Sequence, residues 1–338
     1  MFCNCFLTIT TAVLLFVVPT INPLAAQSVE PQTVIENLNH PCGVAIHPES
    51  GVAYVSDSGN GRIVRIVDGV AEEVVAGHPV SDLGNEFGFA AGPLGMAFLG
   101  DENQLIVGSG GWASGEDRVH GFDLTESPVK LETAQTWTMT SKSGSGSAKA
   151  GDFYGIATFN GKIWVAPVAD PQFGWLGQLT RQKADEVVFE PGIDTRKATG
   201  IGLPCAITIS PDGFIVAGQH GENDNSSVLG FYDQATGALR AKFDLGQHGI
   251  VALAYGPNAG RLFALFNSRQ HPAENGLYKL VARKRNTACE ARLIHKLQDP
   301  RALAFATNGD LFVTAGRENG ALLKFEGLDQ VDTPDTSN

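Results

Sequence analysis

Six copies of one short pattern predict an all-β fold, and three observations support that prediction. Each copy alternates small and apolar residues, and a turn and a strand-like run follow it. Counted from their first residues, successive copies lie 52, 60, 51, 46 and 50 residues apart. The chain also contains 40 glycines and 17 prolines, which favour turns over long helices. A repeat of this period is typical of small sheets arranged in a ring, so the sequence predicts a six-bladed β-propeller.

The first strand of each copy, which we call strand a, alternates small and apolar residues. The six predicted strands a are 41–45, 93–97, 153–157, 204–208, 250–254 and 300–304. Each is followed by a turn rich in Gly, Asn or Asp, because such residues tolerate the positive φ angles that tight hairpins require. Apolar residues alternate on both sides of each turn, which indicates a pair of antiparallel strands, a and b.

Two further strands complete each predicted blade. The third strands, c, are predicted over 62–67, 119–122, 177–180, 228–232, 277–281 and 321–325. A fourth strand, d, follows in five copies, for example over 72–76, 135–138 and 187–190. The sixth copy ends near Gly327 without a fourth strand. We predict that residues 32–36, ahead of the first copy, supply it, because ring closure removes exposed sheet edges.

The first copy carries a resemblance to a known repeat. Pro41-Cys42-Gly43-Val44-Ala45, followed by AYVSDSGNGRI at 53–63, resembles an NHL repeat. The resemblance is most complete in this copy, and its frame extends over about residues 37–327. NHL-type proteins are six-bladed propellers of four-stranded antiparallel blades, so the resemblance implies the same fold that the repeat count predicts.

The two ends of the chain differ from the repeats. Residues 1–26 combine an apolar run at 6–18 with Pro19, Pro23 and a final Ala25-Ala26, which is typical of a secretory signal peptide. We therefore predict a secreted or periplasmic protein, with the propeller at 27–328 and a disordered tail at 329–338. No Lys or Arg precedes the apolar run, so an uncleaved membrane anchor is the alternative. We predict no other membrane span.

Charge and cysteine content narrow the class of partner. The formal net charge is −12, and Arg283-Lys284-Arg285 is the one basic run, which argues against a nucleic-acid partner. We predict a monomer with a protein, peptide or carbohydrate ligand.

Cys42 and Cys205 occupy equivalent positions on blades that face each other across the ring, too far apart for a disulfide. We expect both to be buried free thiols.

The candidate site is expected on the face that carries the long b–c and d–a loops, which we call the long-loop face, because binding residues concentrate in such loops. The predicted ligand-binding residues at its channel mouth are His40, Trp112, Asp170, Trp175, His220, Glu222, His248, Arg301 and Arg317. Each of the two tryptophans is expected either to serve as a ligand platform or to pack on the neighbouring blade. Asp57, Asn60 and Arg62 are interpreted as residues that stabilise their own loop.

No complete catalytic set is recognised in the sequence. Gluconolactonase-like propellers resemble this chain in architecture and hold a divalent cation with Glu, Asn and Asp ligands. The matching segments here, 40–42, 205–209 and 249–251, lack all three. The histidines of the long-loop face show no H-x-H or H-E-x-x-H spacing, so a divalent cation is kept only as a candidate cofactor.

Two hypotheses about function follow. The leading hypothesis is an exported binding module that recognises its ligand through the long-loop face. The alternative is a metal-dependent hydrolase or lyase with its site at the channel mouth, as in gluconolactonase-like propellers or peptide-amidating lyases. Quinone-dependent sugar dehydrogenases also share the propeller, and Arg301, Arg317 and His248 are the residues that could form the basic pocket they require.

Overall fold

Alternating apolar residues separated by Gly and Asn turns give this chain an almost entirely β-stranded structure. The computed structural model of the protein describes residues 29–81, 90–100, 103–113, 116–124, 128–138, 151–167, 174–183, 186–221, 226–258, 260–283 and 288–330. Within these ranges there are 25 strands and one five-residue α-helix, α1 (Thr195–Thr199). All the described residues belong to one compact unit.

Six four-stranded antiparallel blades account for 24 of these strands, which are numbered along the chain. Strands a are β2 (Pro41–Ile46), β6 (Pro93–Phe98), β11 (Phe153–Phe159), β15 (Pro204–Ile209), β19 (Ile250–Tyr255) and β23 (Pro300–Phe305). Strands b are β3 (Ala53–Asp57), β7 (Gln104–Ser109), β12 (Lys162–Pro167), β16 (Ile215–Gln219), β20 (Leu262–Phe266) and β24 (Leu311–Ala315).

The outer two strands vary more in length from blade to blade than the inner two. Strands c are β4 (Arg62–Val67), β8 (Arg118–Asp123), β13 (Trp175–Lys183), β17 (Val228–Tyr232), β21 (Gly276–Arg283) and β25 (Gly320–Phe325). Strands d are β5 (Val70–Ala76), β10 (Gln135–Thr138), β14 (Glu186–Asp194), β18 (Leu239–Asp244), β22 (Ala288–Lys296) and β1 (Gln32–Leu38). A two-residue strand, β9 (Val129–Lys130), pairs in parallel with β5 at the outer edge of the first blade.

The ring closes in the predicted way. Strand β1 pairs antiparallel with β25, so the sheet order of the last blade is β1-β25-β24-β23. Each strand a contacts the strands a of both neighbouring blades, and β23 contacts β2. The predicted six-bladed, four-stranded propeller with an N-terminal closing strand is therefore confirmed.

Small residues at the third position of strand a allow the blades to approach closely. A Cβ atom on Gly95 would lie 2.0 Å from the carbonyl oxygen of Tyr154 on the next blade, and one on Gly43 would lie 2.1 Å from that of Leu94. The remaining blades have Gly155, Ala206, Ala252 and Ala302 at this position. The small–apolar alternation in the repeat therefore reflects backbone packing around the channel.

The hydrophobic core lies between adjacent blades. Tyr54 and Ile63 of the first blade pack with Met96 and Leu105 of the second, and similar apolar clusters fill the other junctions. At the C-terminus, the buried Asp329 accepts a hydrogen bond from the backbone N–H of Asn258 at 2.6 Å. Packed structure thus continues two residues beyond the predicted boundary at 328, to Gln330.

The predicted terminal segments lie largely outside the described residues. This applies to the signal peptide at 1–26 and to residues 331–338 of the tail, so both stay predictions. Among the described residues, no helix has the length and apolar character needed to span a bilayer.

Candidate functional site

The channel mouth on the long-loop face is built by the residues that precede each strand a. The carbonyl of Leu203 accepts a hydrogen bond from the N–H of His220, and that of Asp299 from Gly316, each at 3.0 Å. His40, Leu203 and Asp299 have φ angles of 50°, 48° and 45°. This left-handed conformation is uncommon for residues other than glycine and tends to occur at functional sites. Three non-glycine residues among the six that directly precede a strand a thus share this conformation.

The channel below the mouth is narrow. Strands a line a cavity of about 60 Å³, to which Tyr154, Cys205 and Arg301 contribute. A cavity needs roughly 10–15 Å³ of such volume to admit a single water molecule, so this one has room for a few waters at most. A sugar-sized molecule is too large for the cavity, so a ligand of that size would have to bind at the mouth.

Arg301 places a buried positive charge in the lining of this cavity. Its side chain is 2% exposed, and its Nη2 lies 4.0 Å from Oδ1 of Asp299. Arg317 binds the same carboxylate through Nε and Nη2, each at 3.0 Å, in the bidentate arrangement typical of strong ion pairs. From the opposite blade, the hydroxyl of Tyr154 donates to the carbonyl oxygen of Arg301 at 3.3 Å.

Cys42 is next to this charge but is not activated by it. Burial raises the pKa of the Cys42 thiol to about 11, and the nearby charge of Arg301 only partly opposes this effect. The thiol is therefore protonated at neutral pH and is a poor nucleophile. Cys42 and Cys205 are both buried, and neither forms a disulfide within the described part of the chain, as the sequence predicts.

Two aspartates, Asp117 and Asp152, lie near enough to each other that the charge of Asp152 raises the pKa of Asp117, and we call them the carboxyl pair. Asp152 directly precedes strand β11, and its Oδ1 occupies space beside Gly110, where a Cβ atom would lie 2.1 Å away. Burial raises the pKa of Asp152 to about 6. Burial and then the charge of Asp152 raise the pKa of Asp117 to about 8, although a hydrogen bond from the backbone of Trp112 lowers it. At pH 7, Asp152 is mostly ionised and Asp117 mostly protonated.

A second polar group, the His78–His120 cluster, consists of His78, Trp112, Asp117, Arg118 and His120. The Arg118 guanidinium carbon lies 3.8 Å from the Trp112 ring centroid in a cation–π contact. The His78 and His120 rings meet edge to face, with centroids 5.4 Å apart. Burial lowers the pKa of His78 to about 3 and that of His120 to about 4, so both rings are neutral.

The His78–His120 cluster contains unusually many polar atoms without a hydrogen-bond partner. In the described part of the chain these buried atoms are Nδ1 and Nε2 of His78, Nε1 of Trp112, Oδ1 of Asp117, Nε of Arg118 and Nε2 of His120. Buried polar groups in proteins are nearly always bonded, so such a concentration requires an explanation. The cluster offers donors and acceptors to a small polar guest.

A third group lies on the loops of the fifth blade. His248 precedes strand β19, and its Nδ1 is 3.0 Å from Oε2 and 3.2 Å from Oε1 of Glu274. The His271 ring stacks on the His248 ring with a centroid distance of 3.8 Å. His220 is close by: burial, and then the charge of His248, lower its pKa to about 4.

The structure places the predicted site residues in several surroundings. His40, His220, His248, Arg301 and Arg317 lie in or beside the turns at the channel mouth. Trp112 belongs to the His78–His120 cluster. Trp175 is 6% exposed and packs between the second and third blades with Val119 and Phe189. Asp170 and Glu222 lie outside the described residues.

The loop-stabilising interpretation of Asp57 is confirmed. Its buried carboxylate accepts hydrogen bonds from Arg62 Nε and Asn60 Nδ2, each at 2.8 Å. It also accepts one from the backbone N–H of Asn39 at 2.6 Å. These bonds link the b–c loop of the first blade to the turn before strand a.

Sequence reasoning missed Asp117, Asp152, His120 and Glu274 as site residues. Asp152 had a usable signal, because it occupies the same place before strand a as His40 and Asp299. His120 and Glu274 had none, since a polar residue inside a strand or on a short turn is not distinctive. Asp117 acquires its raised pKa only through its burial and the nearby charge of Asp152.

Comparison with protein-family models and with curated proteins finds no match. Solved structures do resemble the chain. A glucose dehydrogenase aligns with a TM-score of 0.62 at 17% identity, covering 87% of this chain and 98% of its own. The PQQ-bound aldose sugar dehydrogenase of Streptomyces coelicolor aligns at 0.59 and 15%, covering 87% and 96%. A gluconolactonase from Xanthomonas campestris aligns at 0.57 and 14%, covering 89% and 91%.

At these identities the likeness establishes the fold alone. The chain shares the six-bladed propeller with enzymes that are named for sugars and sugar lactones. The NHL resemblance of the first repeat stays a prediction, because no family model matches the chain.

Proposed function

We propose that this protein is an enzyme that binds a small sugar-derived ester, such as a lactone, at the channel mouth and hydrolyses it by acid–base chemistry. The observation that carries the proposal is the carboxyl pair beside the mouth, in which Asp152 has a pKa of about 6 and Asp117 of about 8. Carboxyl groups tuned apart in this way are typical of acid and base roles. Two structures with the same fold, one of them putative, are named as gluconolactonases.

Each group has a role that suits its surroundings. Asp152, ionised at neutral pH, takes a proton from a water molecule whose oxygen attacks the ester carbonyl. Negative charge then develops on the carbonyl oxygen, and the buried Arg301 guanidinium stabilises it. When the carbon–oxygen bond to the leaving group breaks, the protonated Asp117 donates the proton that the leaving alkoxide needs.

The test is the hydrolysis of a panel of sugar lactones, which is monitored through the acid released while the pH is held constant. Wild-type protein should turn over at least one of them, and Asp152→Asn should lower kcat by about 10²–10⁴-fold because it removes the general base. Asp212→Asn is the matched control, since Asp212 lies exposed on the a–b turn of the fourth blade. Turnover of no lactone, or near-normal kcat in Asp152→Asn, would overturn the proposal.

A second candidate function, ligand capture without chemistry, is favoured by the His78–His120 cluster. Its partnerless donors and acceptors suit a polar group of a peptide or glycan. Calorimetric titration with glycan and peptide libraries tests this binding function. Trp112→Phe is the diagnostic variant, because it keeps an aromatic ring at this position and removes the Nε1 donor. Saturable binding that weakens in this variant, without product formation, supports the binding module. Lactone turnover supports the hydrolase.

A further inference from the structure

Three metal-ligating side chains converge on the fifth blade from two separate loops. His248 comes from the d–a loop before β19, while His271 and Glu274 come from the b–c loop before β21. His271 directly precedes, and Glu274 ends, a single 3₁₀ turn, Pro272–Glu274. Residues three apart on such a turn lie on the same side of it, so both side chains face His248. One ligand atom from each of the three side chains lies within 4.8 Å of the other two.

The distances suit a metal ion. His248 Nδ1 lies 3.0 Å and 3.2 Å from the two carboxylate oxygens of Glu274. A tetrahedral zinc ion with bonds of about 2.0–2.2 Å holds its ligand atoms about 3.3 Å apart. A metal ion can therefore replace the proton that His248 and Glu274 share. The His271 ring is stacked on His248, so it must rotate about its side-chain bonds to direct a nitrogen at the same point.

The loop that carries His271 and Glu274 is braced before any ion binds. Asn275 Oδ1 accepts from the backbone N–H of Ser268 at 2.7 Å, and Ser268 Oγ accepts from that of His271 at 3.1 Å. The Tyr278 hydroxyl donates to the Glu274 carbonyl at 2.8 Å. The N–H of His248 donates to Glu274 Oε2 at 2.7 Å, which ties the two loops together. Such preorganisation lowers the entropic cost of binding.

From this geometry we propose that His248, His271 and Glu274 bind a divalent transition-metal ion, with zinc the best match to the donors. Two imidazoles and one carboxylate leave one position of a tetrahedral ion open, and this donor set is used by zinc sites that hold a reactive water or a substrate. The site goes beyond the proposed function, because neither Asp152 nor Arg301 contributes a ligand. The metal site would be a second candidate site on the long-loop face, close to His220.

The experiment measures metal binding directly. The full chain is treated with a chelator, dialysed and titrated with Zn²⁺ in a calorimeter, and Co²⁺ is used as a spectroscopic probe of coordination. Wild type should bind one equivalent of Zn²⁺ and give the intense visible bands of tetrahedral cobalt. His271→Ala and Glu274→Gln should each weaken Zn²⁺ binding by about 100-fold or more, since each removes one of three protein ligands.

Matched controls come from the same blade. His295→Ala and Glu290→Gln change the same residue types on the outer strand β22, and both should keep wild-type affinity. Circular dichroism verifies that every variant is folded. Failure of wild type to bind Zn²⁺, or equal affinity in the ligand and control variants, overturns the proposal. Lactone turnover is measured separately, so its presence or absence does not decide the metal site.

Discussion

Replacing Asp152 with Asn should stabilise the protein at neutral pH while abolishing the proposed activity. Asp152 is held at the mouth beside Gly110, where burial disfavours its charged form. Asn has nearly the same shape and carries no charge at any pH, so its burial does not carry the free-energy cost of burying a charge. A substitution that raises stability and removes function is the signature of a strained active-site group.

The magnitude follows from the pKa. The difference between the ordinary value of 3.8 and about 6 in the folded protein corresponds to about 3 kcal/mol, at 1.36 kcal/mol for each pKa unit. Because the folded pKa is raised, the folded state binds more protons than the unfolded state between these values. Wild-type stability therefore falls as pH rises from about 4 to about 6. Asp152→Asn should match wild type below pH 4 and exceed it by up to about 3 kcal/mol above pH 6.

The assay is urea denaturation of both proteins at several pH values from 4 to 8. Asp233→Asn is a control of opposite sign. A hydrogen bond from the Arg240 side chain, followed by bonds from Thr236, holds the pKa of the half-buried Asp233 carboxyl well below its usual range. This group stabilises the fold above its ordinary pKa, and the effect is lost as pH falls. A stability difference between Asp152→Asn and wild type that does not change with pH would refute the reasoning.

Three further predictions concern packing and the mouth. Gly95→Ala should destabilise the fold by about 2–3 kcal/mol, and by more than Gly155→Ala. The new Cβ would meet a neighbouring carbonyl oxygen at 2.0 Å in Gly95→Ala and at 2.8 Å in Gly155→Ala. Thermal denaturation that ranks the two variants in the reverse order contradicts this prediction. Asp57→Ala should cost about 3 kcal/mol in urea denaturation, because three hydrogen bonds are lost and the backbone N–H of Asn39 is left without its acceptor. A cost below about 1 kcal/mol argues against the interpretation. Cys42 and Cys205, each 1% exposed, should resist Ellman's reagent in native protein and react in urea; rapid native labelling of either would show that the mouth opens.

The sequence contained most of the information about the fold because that information is local. Strand periodicity, tight-turn residues and a constant spacing of copies are read within a few dozen residues, and ring closure follows from one missing strand. Predicted strands such as 62–67, 135–138 and 228–232 agree with β4, β10 and β17 at both ends. The small third residue of each strand a was visible in the pattern, but its cause, backbone contact between neighbouring blades, required coordinates.

The site depended on tertiary structure. Glu274 lies on a short turn that looks like any polar loop, and it becomes a potential ligand only because the blade brings that turn against His248. Asp117 and Asp152 come from different loops; burial raises the pKa of both, and the charge of Asp152 raises the pKa of Asp117 further. The sequence alone therefore determined the propeller and its long-loop face. Only the folded ring decided which acids and histidines meet there, because loop conformation and burial depend on neighbouring blades.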